Sequence, residues 1–432
     1  MNNSFQEHSS SFQNFANGIS RWEISLYLFA LTVLGNLFFV LLVTWFSDPM
    51  TGTTEYKEIA KNIAQGNGFV LKEGEEYILW RPPLYVYILS GFYYLFHKPY
   101  FAIVAFQVVL NALTGVMVFR IGEKIFHRGV GIFAALLLLA YPLFTYNCLR
   151  LMPEAIYSFF LSGIVFLSLD FFSKPNWKFS VVQGLFLSCA TLLKAAIQFL
   201  PIFYFLFTIF FIKGWERKKK VIRNIGILVI IMGCAIAPWT IRNYKVSKEF
   251  ILLDTSGGYT FWIGNRIASN GYDDDPLTEE EFEEIKEDLA RILGIEYSPS
   301  LDVSKSAWAS GANSSKLYRE GIKGIMDDPF ETFLLGLKKV YRIWFSYIGE
   351  SSAIQMAIFI LQTFILLPAC LGLYFAFKDE KPIMPIALII IYFSLLHMAA
   401  TANVRYSVPL VPYVMILAVY GVSQFKRLAR SD

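Results

Sequence analysis

Charged side chains lie inside or beside apolar segments of the sequence, where ionisable groups are costly and are therefore candidates for function. Glu154 begins one such segment in "MPEAIYSF", and Lys194 lies near the end of the next in "LLKAAIQF". Arg242 and Arg405 occur in "APWTIRNY" and "VRYSVPLVPY". With Arg81, these cations could bind the phosphate of a phosphate-bearing lipid, and a nearby carboxylate could act as a general base.

Two further carboxylates follow the first apolar run. Asp48 comes directly after it, and Glu55 opens "EYKEIAKNIAQGNGF", whose spacing predicts an amphipathic helix that ends at Gly66. Either could be the base, although acidic residues near a helix N-terminus also simply favour the macrodipole. The tyrosines that follow Glu55 and Arg405 in sequence, Tyr56 and Tyr406, are predicted as further substrate-binding residues.

The composition indicates a membrane protein. Of 432 residues, 55% are hydrophobic and 17% charged, where a soluble domain averages about a quarter charged. Because apolar runs recur along the chain, we predict an all-α polytopic membrane protein with about ten transmembrane helices, interfacial helices and a small helical outer region. The apolar runs cover roughly 24–46, 100–119, 130–147, 155–172, 179–197, 199–213, 224–240, 354–377, 384–399 and 407–424.

The basic loops set the predicted orientation. "ERKKKVIR", "FRIGEKIFHRG" and the basic tail fall on one side of a ten-span arrangement, which the positive-inside rule makes cytoplasmic together with both termini. An eleventh span at "PLYVYILSGFYYLF" would break this pattern, and this segment is shorter than the ~20 residues a bilayer needs. We therefore predict that it is an interfacial helix on the outer surface.

This orientation divides the chain into regions. They are a polar cytoplasmic N-terminus (1–23), a transmembrane module with a first outer loop (24–242, loop 47–99), a second outer segment (243–351), and C-terminal transmembrane helices with a basic tail (352–432). Thr278 and Glu281 predict a capping box in the second outer segment. Another amphipathic helix is predicted to begin near Pro329.

Each charged residue also has a structural interpretation. Glu154 could cap a helix, Lys194 could snorkel, and Arg242 and Arg405 could belong to an interfacial anchor belt. Against the last, the positive-inside rule predicts few cations at the outer ends of spans. No cofactor is indicated: the four cysteines form no metal motif, no nucleotide loop appears, and a divalent metal is possible but not demanded. The sequence carries no sign of nucleic-acid binding.

The order of motifs resembles the membrane glycosyltransferases of the C superfamily that use polyprenyl-phosphate sugars, including relatives of protein O-mannosyltransferases and of the lipid A aminoarabinose transferase. The resemblance rests on "EYKEIAKNIAQGNGF", "RPPLYVYIL", "MPEAIYSF", "LLKAAIQFLP", "APWTIRNY" with "GGYTFWIGN", and "VRYSVPLVPY". It implies transfer from a polyprenyl-phosphate sugar to a glycan, lipid or protein on the outer face of the cell membrane, with inversion.

The resemblance also implies site roles. An acidic residue of the first outer loop is the base, Glu154 is a second acidic residue, and the basic residues at 194, 242 and 405 hold the lipid phosphate. Relatives carry an Asp four residues before the loop tyrosine, where this chain has Gly52. Either Asp48 or Glu55 takes that role, or the chain is an inactive assembly partner. A lipid or solute transporter, or a lipid-linked polymer ligase, is a further alternative, although the midmembrane polar groups and repeated halves of transporters are not found.

Overall fold

The computed structural model describes residues 19–46, 54–267, 278–345 and 352–428, and every regular element in these ranges is helical. The helices are α1 (Arg21–Phe46), α2 (Thr54–Ala64), α3 (Pro83–Leu95), α4 (Tyr100–Ile125), α5 (Arg128–Leu139), α6 (Pro142–Tyr146), α7 (Glu154–Ser173), α8 (Trp177–Leu193), α9 (Leu200–Phe211), α10 (Trp215–Ser247), α11 (Ser256–Asn265), α12 (Glu279–Leu293), α13 (Val303–Trp308), α14 (Gly311–Asp327), α15 (Pro329–Phe345), α16 (Ser352–Lys378), α17 (Met384–Ala399) and α18 (Val411–Leu428). The 3₁₀ turns are Ala195–Ile197, Val404–Tyr406 and Val408–Leu410.

The apolar helices account for the predicted spans. Within the described ranges, six helices are long and apolar enough to cross a membrane, namely α1, α4, α7, α10, α16 and α18. Four shorter apolar segments add to them: α5, α8, α17 and the stretch Ala195–Phe211 that contains α9. The predicted all-α polytopic membrane fold is confirmed. Helix α3 forms as expected from its tandem prolines, while its position on the outer surface remains a prediction.

Two predicted runs are interrupted. The run at 130–147 splits because Pro142 cannot continue a helix and instead begins α6. The run at 179–197 breaks at Lys194, whose backbone is extended (φ −147°, ψ 119°) before a 3₁₀ turn. The second break is important for the site, because it puts a lysine at the end of α8.

Helix α10 is longer than the predicted span and continues to Ser247, so the region boundary drawn after residue 242 falls inside it. Its last turns are bound to the segment that follows. Trp239 Nε1 donates to the carbonyl of Leu253 at 2.7 Å, and Asn243 Nδ2 donates to the carbonyls of Ile251 and Leu253 at 3.2 and 3.1 Å. These bonds stabilise the extra turns and fix the start of the second outer segment.

The helix ends and starts that the sequence predicts in these two segments are confirmed. Helix α2 ends at Ala64, and Gly66 follows with a left-handed φ of +88°. Thr278 and Glu281 form the predicted capping box of α12. The helix predicted near Pro329 is α15. Helices α11 to α14 share a small apolar core that includes Ile263.

The second outer segment is attached to the end of α17. Asn265 Nδ2 donates to the carbonyl of Ala399 at 2.7 Å, and Lys339 Nζ donates to the carbonyl of Gly264 at 2.8 Å. A Cβ on Gly264 would lie 2.6 Å from the carbonyl carbon of Ala400, so only glycine fits this approach. Lys339 is fully buried, and burial, with the charge of Arg342, lowers its pKa to about 8.

This buried lysine predicts how stability depends on pH. Between about pH 8 and the ordinary lysine pKa of about 10.4, the unfolded chain binds a proton that the folded chain lacks, so stability rises with pH. In thermal unfolding of the purified protein, the midpoint of wild type should rise relative to that of Lys339→Met across this interval. Lys338→Met, which removes an exposed neighbouring lysine, should follow wild type. Parallel curves for wild type and Lys339→Met would contradict the assignment.

Candidate active site

A buried ion pair lies at the centre of the candidate site. Glu154 begins α7 directly after Pro153 and is 1% exposed. Lys194 reaches it from the end of α8, with Nζ 2.9 Å from Glu154 Oε1. The other carboxylate oxygen, Oε2, is buried and has no hydrogen-bond partner among the described residues. A buried carboxylate needs a partner for its charge, and this one keeps an oxygen available for a further donor.

Arg405 and Tyr406 lie on the 3₁₀ turn between α17 and α18, close to this pair. Arg405 interacts electrostatically with Glu154 and donates from Nη2 to the Tyr406 hydroxyl at 3.3 Å. The Tyr406 ring stacks on His397 with centroids 4.5 Å apart and lies 5.9 Å from the Lys194 ammonium. His397 therefore packs against Tyr406, which is one of the predicted site residues.

A second ion pair joins the first outer segment to the same region. Arg81 Nε donates to Glu55 Oε2 at 2.9 Å, while its guanidinium lies 5.2 Å from the Tyr56 ring and 5.5 Å from the Trp308 ring. Burial opposes the charge on Arg81, but Tyr56 and Glu55 outweigh this effect and raise its pKa. Both partners of this ion pair are partly exposed, with side-chain accessibilities of 24% for Arg81 and 28% for Glu55.

Tyr56 connects the two ion pairs. It is buried on α2, and burial raises the pKa of its hydroxyl. The same hydroxyl interacts electrostatically with Arg81, Glu154, Arg405 and Glu55. The structure thus brings seven of the predicted site residues into one charged cluster: Glu55, Tyr56, Arg81, Glu154, Lys194, Arg405 and Tyr406.

One described residue of the predicted site is not in this cluster. Arg242 lies in an aromatic surround, 4.6 Å from the Trp239 ring, and its Nη1 donates to the carbonyl of Ile78 at 2.9 Å. It therefore holds the backbone just before Arg81 rather than facing Glu154. Asp48, the alternative base, lies outside the described residues, as does Gly52.

The structure adds residues that the sequence analysis missed. Trp80 and Trp308 pack with ring centroids 6.1 Å apart beside Arg81, and the indole Nε1 of each is buried with no hydrogen-bond partner in the described part of the chain. Arg150 lines a recess with Arg405. Arg150 could have been found in the sequence by the signal that selected Arg242, because it too is a basic residue beside an apolar run at an end predicted to face outward. No sequence pattern pairs the two tryptophans.

Comparison with known proteins supports the predicted resemblance. Residues 80–240 match the family described as dolichyl-phosphate-mannose-protein mannosyltransferase. This range contains Arg81, Glu154 and Lys194. No curated protein matches this chain.

Solved structures share the fold. The oligosaccharyltransferase AglB from Archaeoglobus fulgidus, in complex with an inhibitory peptide and a dolichol-phosphate, matches with a TM-score of 0.53 at 12% identity over 94% of this chain and 51% of its own. The same archaeal enzyme tethered to an acceptor peptide gives a TM-score of 0.56 at 12% identity over 94% and 50%. The chain thus spans about half the length of these enzymes. ArnT from Cupriavidus metallidurans bound to undecaprenyl phosphate matches with a TM-score of 0.39 at 12% identity over 95% of this chain and 78% of its own.

The family match over residues 80–240 supports the predicted resemblance to relatives of the protein O-mannosyltransferases, and the solved structures show that the chain shares the fold of AglB.

Proposed function

We propose that the chain is a membrane glycosyltransferase, which moves a sugar from a polyprenyl-phosphate donor to a glycan, lipid or protein acceptor on the outer face of the cell membrane. The observation that carries this proposal is the charged cluster, in which carboxylates and cations from both membrane helices and outer segments meet. The family match over residues 80–240 supports the same chemistry.

The charge of the cluster suits a phosphate leaving group. It holds three cations, Arg81, Lys194 and Arg405, against two carboxylates, Glu55 and Glu154. As the bond between the anomeric carbon and the phosphate oxygen breaks, negative charge develops on the phosphate and the excess positive charge stabilises it. In the proposed site Glu154 orients Lys194 and Arg405 toward that phosphate.

The proposed base is the more accessible carboxylate. The acceptor hydroxyl attacks the anomeric carbon from the side opposite the phosphate, so the new bond forms with inversion. Its proton passes to a carboxylate, and the phosphate leaves with the electron pair. Glu55 is partly exposed and lies on an outer segment, while Glu154 is buried and held by Lys194. We assign the base to Glu55, with Asp48 as the alternative from the sequence.

The positions of the basic loops support an outer site. Glu154 begins the membrane helix α7, whereas Asp170 near its other end pairs with Lys124 at 2.6 Å. Arg217 lies in the first turn of α10, because the predicted basic loop "ERKKKVIR" is helical in the structure, and it donates to the carbonyl of Phe172 near that same end at 2.7 Å. The charged cluster and the basic loops thus lie at opposite ends of α7. If these loops are cytoplasmic, as are the termini in this proposal, the cluster faces outward.

The proposed donor can be sought without knowing the sugar. Deleting the gene should cause one polyprenyl-phosphate sugar to accumulate, measured by mass spectrometry of extracted lipids, because its consumption stops. The wild-type gene should reverse the accumulation. An unchanged profile of lipid-linked sugars in the deletion strain would exclude this transferase activity. Depletion of a lipid-linked sugar at the outer face, without accumulation, would favour a transporter.

The same assay tests the buried pair. Strains complemented with Glu154→Gln or Arg405→Ala should keep accumulating the donor, because each change disturbs the groups proposed to stabilise the leaving phosphate. Arg319→Ala, an exposed arginine on α14, should restore wild-type lipids. Immunoblots of membrane fractions must show equal amounts of all variants. Full reversal by both Glu154→Gln and Arg405→Ala would contradict the site.

The assignment of the base is tested in purified protein with the accumulated donor. Glu55→Gln should lower kcat by about 10²–10⁴-fold with little change in donor KM, since general-base catalysis contributes that much. Glu58→Gln, one turn further along α2, should retain activity, since Glu58 pairs with Lys61 instead. A Glu55→Gln enzyme with wild-type kcat would transfer the role to another carboxylate, and Asp48→Asn is then the next variant to measure.

A further inference from the structure

A recess beside the charged cluster is lined by two arginines. Its walls come from α6, the turn before α7, and the segment that leads into α18. The lining residues are Tyr141, Leu143, Tyr146, Asn147, Arg150, Arg405, Ser407 and Val408. None of them is a carboxylate, and Asn147 and Ser407 are buried polar residues. The lining is thus both positively charged and polar.

Arg150 has no anionic partner in the described part of the chain. Its Nε is buried, and among the described residues its guanidinium has neither a hydrogen-bond partner nor an ion pair. Burying hydrogen-bond donors in this way costs free energy unless something satisfies them. The nearest acidic residue in sequence, Glu154, pairs with Lys194 instead. An anion in the recess would satisfy Arg150.

The backbone at Arg150 is fixed. Gln107 Nε2, from the buried face of α4, donates to the carbonyls of Cys148 at 2.8 Å and Arg150 at 3.1 Å. Gln107 Oε1 accepts from the Tyr85 hydroxyl at 3.2 Å. This buried network joins α3 and α4 to the turn that carries Arg150, so the guanidinium starts from a rigid base, as a binding residue requires.

The surroundings favour an anion with a lipid tail. Tyr146, which lines the recess, packs against a cluster that contains Val40 of α1. Helix α1 exposes a series of large apolar side chains, among them Phe38 and Leu41, each 68% exposed. A polyprenyl chain could lie along α1 while its phosphate enters the recess, whereas a free phosphate would gain nothing from this apolar neighbour.

We infer that Arg150 and Arg405 together hold the donor phosphate in this recess, with Arg150 as a binding residue that neither the motifs nor the comparisons assign. This inference rests on the proposed function, because it assigns a binding position to the lipid-linked donor of that reaction. Guanidinium groups bind phosphate oxygens through pairs of charge-assisted hydrogen bonds. The donor phosphate then lies beside Glu154 and Lys194, while the Glu55–Arg81 pair is left for the acceptor.

Direct binding tests this inference without catalysis. The full chain, purified in detergent, is titrated with undecaprenyl phosphate and dolichyl phosphate, with undecaprenol as the uncharged lipid and inorganic phosphate as the free anion, and dissociation constants are measured by native mass spectrometry. Wild type should prefer a polyprenyl phosphate to both undecaprenol and inorganic phosphate. Arg150→Ala should weaken that binding about tenfold or more, and Arg150→Lys less, since lysine keeps the charge but not the paired bonds. Arg319→Ala should bind like wild type.

The outcomes separate the two proposals. If Lys194→Ala and Arg405→Ala weaken binding while Arg150→Ala, with an unchanged thermal midpoint, does not, the role of Arg150 is refuted and the proposed function stands. If Arg150→Ala lowers the thermal midpoint, the Arg150→Lys variant is used instead. Wild-type affinity for the lipid in Arg150→Lys would refute the role of paired hydrogen bonds from Arg150. If wild type binds both polyprenyl phosphates no better than undecaprenol, the proposed function itself fails. Inorganic phosphate binding as tightly as the lipid would overturn the lipid assignment.

Discussion

The buried ion pair between Glu154 and Lys194 is the interaction on which the rest of the site depends. Removing Lys194 would leave the Glu154 carboxylate buried without its hydrogen-bonded cation, which is costly inside a protein. The pair also explains a feature of the fold. Helix α8 ends at Leu193 and the backbone at Lys194 is extended, so that the lysine reaches α7 from a helix terminus, where a cation is favoured. A polar constraint thus decides where an apolar helix stops.

Much of the fold could be predicted because its signals are local. Apolar runs predict membrane helices whatever their neighbours, and the capping box at Thr278 and the left-handed Gly66 mark helix ends within a few residues. The positive-inside rule also selected Arg81 and Arg405 as unusual cations, and both belong to the charged cluster. A cation where the rule expects few is informative because its cost must be offset by a partner or a ligand.

What could not be predicted depends on contacts between distant segments. Arg242 has the same sequence context as Arg405, yet it lies among aromatic rings and binds the carbonyl of Ile78, because α10 continues past the predicted span and packs on the first outer segment. Lys339 looks like one more basic residue on an amphipathic helix, yet it is fully buried and donates to the carbonyl of Gly264, which packs against the end of α17. Sequence periodicity gives the face of a helix but not which partner meets it.

The two ion pairs divide the proposed reaction between the membrane and the outer segments. Glu154 and Lys194 belong to α7 and α8, while Glu55 and Arg81 belong to the first outer segment, and the ring of Tyr56 lies against Arg81. A lipid-linked donor must enter from the membrane side and an outer-face acceptor from the other, so each substrate would meet its own pair. Because each carboxylate already has a cation, substrate binding need not create an unpaired charge. The donor phosphate would draw on the cationic excess, and the acceptor would bring only a hydroxyl to Glu55.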